Sequence, residues 1–143
     1  MTRHDDKRLK PERSGVYLAP SRMAGLRQAA AERDLAWIEL DPSGARNKGE
    51  LLKACASVFD MPDEFGSNWD ALSDCLRDLS WRREQGYVII WRGASTLAEA
   101  APGDFSVALE IFSDVATYWK ERGRAFFLLL DGAVHGMAVS RLT

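Results

Sequence analysis

The chain has 143 residues, of which 46% are apolar and 28% charged, with a formal net charge of −2. That length supports one domain with a real core, and so balanced a charge excludes a global field that would draw the protein to nucleic acid or a membrane surface. The longest apolar run, Ala125–Leu130, falls far short of the roughly 20 residues that cross a bilayer, and the polar N-terminus does not read as a signal peptide. A cytoplasmic location is expected.

Residues 1–14 are polar and aperiodic and predict a disordered arm. Val16–Leu18 is a candidate short strand, stopped by Pro20. Ser21–Arg33, with Met23, Leu26, Ala29 and Ala30, reads as an amphipathic helix with Ser21 as its cap. Leu35–Leu40 reads as a strand closed by the turn residues Asp41, Pro42, Ser43 and Gly44. Lys48–Phe59 follows as a helix whose core face is Leu51, Leu52, Cys55, Val58 and Phe59. After the central segment described below, Gly86–Trp91 reads as a strand, Ala101–Glu121 as a long helix lined by Ala108, Ile111, Phe112, Val115 and Trp119, and Arg124–Leu130 as the last strand. Val88–Trp91 and Ala125–Leu130 are near-continuous apolar runs, the pattern of strands buried on both faces. Strands separated by helices predict an α/β fold with a small parallel sheet of three strands, the N-terminal extension supplying a candidate fourth. One domain is expected over residues 15–131, with residues 132–143 an unassigned tail.

The central segment carries the chemistry. Between Asp60 and Asp78 six acids (Asp60, Asp63, Glu64, Asp70, Asp74 and Asp78) face the single base Arg77. Gly66 supplies a permissive turn and Ser67 or Asn68 a helix cap. Leu72, Cys75, Leu76 and Leu79 then fall at i, i+3, i+4 and i+7, one helix face, while Asp70, Asp74 and Asp78 fall at i, i+4 and i+8 on another. Like charges at that spacing repel, and only Asp70, at the start, is favoured by the helix dipole. A stripe that folding would not select points to a basic partner.

The pattern G-x-N-x-D-A-L-x-D-C-L, here Gly66, Asn68, Asp70, Ala71, Leu72, Asp74, Cys75 and Leu76, resembles the signature of the barstar family of ribonuclease inhibitors, and the order of elements from Leu35 to Leu130 fits as well. The resemblance implies an inhibitor rather than an enzyme, whose carboxylates imitate RNA phosphates in the Arg/Lys/His cleft of a basic ribonuclease. It implies that Asp74 is the central acid and Asp70 its neighbour, with Gly66 and Asn68 in the loop against the enzyme. Asp114, in the long helix, falls near a further contact acid. Where the family's type member has aromatics, Glu64 and Ser73 stand here; Phe65 keeps one aromatic and Trp69 introduces another. The alternative function is a binding module of the same fold for some other basic protein.

Other constellations carry less. Asp70 and Asp74 could hold Mg²⁺, but no paired second motif or phosphate-cradling glycine loop accompanies them. Two isolated cysteines and two histidines do not make a zinc site, so no metal or cofactor is expected; Cys55 and Cys75, on apolar helix faces, read as buried reduced thiols. Trp69, Trp81 and Trp91 could stack bases, yet their acidic surroundings repel nucleic acid, so no direct nucleic-acid partner is expected; only Trp69 sits inside the motif. His135 with Cys75 or Ser140 has no third group placed to orient a nucleophile.

Overall fold

The computed structural model describes residues 7–41, 45–62, 68–132 and 139–143. Its strands are β1 (Gly15–Leu18), β2 (Leu35–Leu40), β3 (Gly86–Arg92) and β4 (Phe126–Asp131), all parallel and in the order β1-β4-β3-β2. The helices are α1 (Ala24–Glu32), α2 (Lys48–Val58), α3 (Trp69–Asp78), α4 (Ala94–Ala100) and α5 (Pro102–Lys120). The α/β class and the parallel sheet are as the strand-helix alternation requires, and the N-terminal extension does contribute a fourth strand, with Val16 of β1 beside Leu128 of β4.

The apolar runs of the two central strands divide between two cores. Tyr87, Ile89 and Trp91 of β3, with Phe126, Leu128 and Leu130 of β4, face α2, α3 and α5. Val88, Ile90, Phe127 and Leu129 point to the opposite side, where Leu26, Ala29 and Ala30 of α1 cover them. Successive strand residues alternate in direction, so a strand buried on both faces must be apolar at every position. Gly86, at the start of β3, has no room for a side chain: a Cβ there would lie 2.5 Å from the Ala125 carbonyl oxygen and 2.9 Å from Leu35.

Several expectations change. The arm is not free from Lys7 onward. Lys7–Leu9 and Pro11–Arg13 form 3-10 turns, Leu9 is fully buried in the second core, the Arg13 guanidinium donates to the Thr143 carbonyl, and the Tyr17 hydroxyl donates to the Arg13 carbonyl. A lone leucine in a three-residue turn has no period to betray it. The end of the chain is likewise tied down: Leu18 N–H donates to the Ser140 carbonyl at 2.8 Å, Leu142 N–H donates to the Leu18 carbonyl at 3.0 Å, and Leu142 is buried. Helix α1 starts at Ala24 after Met23, so Ser21 lies too far upstream to cap it. Helix α4, unassigned from sequence, is too short at seven residues to show periodicity; Gly93, left-handed at φ 65°, turns the chain from β3 into it. Among the described residues no helix is long and apolar enough to cross a membrane.

Candidate partner-binding face

Helix α3 is fixed at both ends. Asn68 is extended, and its side-chain oxygen accepts from the Ala71 N–H at 2.7 Å, satisfying one orphan donor of the first turn. Leu72 and Leu76 are buried in the first core, and the buried Trp119 indole of α5 donates to the Leu76 carbonyl at 2.9 Å. The helix stops at Leu79, whose left-handed backbone (φ 46°) is a conformation costing a leucine about 1–2 kcal/mol. Full burial of its side chain, which stabilises by about 1.5–3 kcal/mol, offsets that cost.

With the apolar side so anchored, Asp70, Asp74 and Asp78 are all exposed. Among the described residues none of the three carboxylates has a hydrogen bond or an ion pair. Asp60, the first acid of the segment, differs: it is left-handed at φ 54° and lies 3.5 Å from the Arg82 guanidinium, which also meets Glu84. Trp69 is half-buried against the first core, with the Lys48 ammonium 5.6 Å from its ring centroid. It is a rim residue of the acidic face, held from α2. Asp114 is exposed on α5, one turn before Tyr118 and therefore on the same side of that helix; the Tyr118 ring lies 5.9 Å from the Arg77 guanidinium of α3. The structure thus brings Asn68, Trp69, Asp70 and Asp74 onto one helix and places Asp114 on the flank of the neighbouring one. Glu64, Phe65 and Gly66 lie outside the described residues, as do Asp63 and Ser67.

Cys55 is buried and Cys75 only half-buried, which corrects the expectation for the second thiol; neither is in a disulfide. Desolvation pushes the Cys55 thiol up to about 12, so it is inert as a nucleophile near neutral pH. Trp91 is fully buried and so cannot stack a base, and the half-buried Trp81 is packed against the first core with its indole donating to the Phe59 carbonyl at 2.9 Å. Asp70 and Asp74 do not join a third possible metal ligand among the described residues. Two features were not read from the sequence. Arg92 bridges Glu39 (3.0 Å) and Asp131 (2.6 Å) across the ends of β2, β3 and β4, a contact that only the sheet order creates. The approach of Tyr118 to Arg77 is the other; the spacing Asp114–Tyr118 was its only trace.

The fold and this face define a small α/β domain with an acidic helix on its surface. A family model described as "Barstar (barnase inhibitor)" matches residues 35–131, from the start of β2 to the end of β4 and well over half of the chain. The chain belongs to the barstar family, whose members are inhibitors and not enzymes. No curated protein matches it. Strand β1, helix α1 and the final residues lie outside the matched span.

Proposed function

We propose that this protein inhibits a ribonuclease by filling its basic active-site cleft with the acidic face of α3. Asp74 acts as the central phosphate mimic and Asp70 as its neighbour. Asn68 caps the helix and, with Gly66, Phe65 and Glu64 just before it in the sequence, contacts the enzyme, while Trp69 packs at the rim and Asp114 contributes from α5. The observation that carries the reading is the row of three exposed carboxylates without an ion pair among the described residues, on a helix held rigid by Asn68 and Trp119. Charge-assisted hydrogen bonds from the partner's arginines supply strength, and preorganised acids lose little freedom on docking. The same charge would repel RNA itself, so the partner is protein. That neither Cys55 nor Cys75 is in a disulfide suits a reducing, cytoplasmic setting.

The test is inhibition and stopped-flow association with a barnase-type ribonuclease at low and high salt. Steered association slows steeply as salt rises, because exposed charge is screened over about 8–10 Å near physiological ionic strength, while dissociation changes little. A salt-independent association rate would overturn the steering mechanism. Glu64 and Ser73, which stand where the family's type member has aromatics, favour a different partner if that enzyme does not bind: another basic protein, recovered by its affinity for the parent and not for Asp74→Ala.

A further inference from the structure

We infer that Tyr118 is a positioning residue for the acidic face: its ring draws the Arg77 guanidinium aside and so leaves Asp74 uncompensated for a cationic partner. The inference rests on α3 being the partner-binding face. Helix geometry alone favours the opposite arrangement. Asp74 and Arg77 stand at i and i+3, acid N-terminal to base, the order in which a helix-surface ion pair forms most readily. Arg77 is also the only base within α3. Yet no ion pair joins the two among the described residues, and the Arg77 guanidinium carbon lies 5.9 Å from the Tyr118 ring centroid.

The ring is built to hold cations. Its π-face carries the negative lobe of the quadrupole, and Arg122 already lies 3.5 Å from the same centroid. Tyr118 packs edge-on to Trp119, with centroids 5.3 Å apart and planes at 89°, and Trp119 is in turn fixed to α3 through the Leu76 carbonyl. The ring therefore stays beside the last turns of α3. Arg122 keeps a second hold, donating to the Tyr118 main-chain carbonyl at 2.8 Å, which survives any change of that side chain. Replacing Tyr118 by an aliphatic residue thus releases Arg77 in particular, and the nearest acid at favourable helix spacing is Asp74. A partner's guanidinium arriving there would then compete with an internal cation.

The experiment is a double-mutant cycle on the full chain, comparing the parent with Tyr118→Phe, Tyr118→Leu, Arg77→Ala and Tyr118→Leu/Arg77→Ala. Hexa-arginine peptide is the probe, and the amide shifts of residues 69–78 report both folding and binding. In the parent, the Arg77 side-chain protons should be shifted upfield by the ring current of Tyr118; unshifted protons overturn the inference before any variant is made. Tyr118→Leu should weaken peptide binding roughly threefold and Tyr118→Phe should not, the size expected of one exposed pair. Arg77→Ala should strengthen binding more in the Tyr118→Leu background than in the parent. Equal effects in both backgrounds would reduce Tyr118 to packing alone and sink the proposal. A parallel measurement of association with a barnase-type ribonuclease separates the two readings: coupling with the peptide but no ribonuclease binding removes the target and leaves the role of Tyr118 standing.

Discussion

At Asp74 the carboxylate is exposed in mid-helix, with Asp70 and Asp78 one turn away on either side and no ion pair among the described residues. Replacement by alanine removes two repulsions and a poor helix former, so stability should stay level or rise by up to about 1 kcal/mol. Binding should move the other way. Truncating a central anchor strands the partner's cations in a desolvated cleft, a loss of about 2–5 kcal/mol in affinity. Thermal unfolding beside partner affinity checks both, with Asp78→Ala as a control on the same stripe; an unfolded Asp74→Ala protein would make the carboxylate structural. Cys55 gives a second residue-level test, on pH. Its thiol is raised from 9.0 to about 12 by burial, so above pH 9 the unfolded chain gives up a proton that the folded one keeps. Its contribution is present in full below pH 9 and is lost as pH rises toward 12, at up to about 1.4 kcal/mol per pH unit. Burial raises Tyr87 as well, which adds lability of the same sign. Denaturant unfolding at pH 8 and pH 10 should show a smaller drop for Cys55→Ala than for the parent.

Among the elements, those with a long repeating period were legible in the sequence: α2, α3, α5 and the doubly buried strands β3 and β4 lie within a few residues of where their patterns put them. The face of α3 could be read because its apolar and acidic rows separate cleanly, Leu72 and Leu76 inward and Asp70, Asp74 and Asp78 outward. What failed was short or capped by main-chain geometry. Helix α4 offers seven residues, and α1 begins after Met23 with no side-chain cap to announce it. Half-burial of Cys75 escaped because its row of apolar neighbours says which way it leans and not how far the core extends. The partners of Arg92 and Arg77 are set by which elements become neighbours, which no local pattern encodes. Gly86 belongs at this scale too, since its role is an element-to-element approach. An alanine there must displace the Ala125 main chain, so Gly86→Ala should cost about 1–3 kcal/mol. Gly25→Ala, in α1 with nothing within 4 Å, should be neutral or stabilising by up to about 1 kcal/mol. Urea melts of the two variants would compare them directly, and a neutral Gly86→Ala would mean that β3 and the Ala125 segment can separate without loss.

For the molecule as a whole, the two faces of the sheet have different owners. The matched family span contributes α2, α3 with its acidic face, and α5 over the first core, whereas α1 and the turn containing Leu9, both outside that span, cover the second. Deleting Met1–Arg13 therefore tests whether the added layer is structural. It removes Leu9 from a core it shares with Val88, Phe127 and Leu129, and it removes the Arg13 hydrogen bonds to Thr143 and Tyr17. Loss of one fully buried leucine alone costs about 2–5 kcal/mol through lost transfer energy and the cavity left behind. At roughly 3 °C per kcal/mol for a chain of this size, the melting temperature should fall by roughly 6–15 °C. Leu9→Ala, which keeps both Arg13 contacts, should reproduce most of that fall. Partner affinity should not follow, because Asn68, Leu72, Leu76 and Trp119 fix α3 from the opposite side of the sheet. Calorimetry on the deletion and on Leu9→Ala, with binding measured well below the lower melting temperature, gives the decisive comparison. An unchanged melting temperature would return the first thirteen residues to the status of a free arm, and a parallel loss of affinity would show that the second core shapes the acidic face as well.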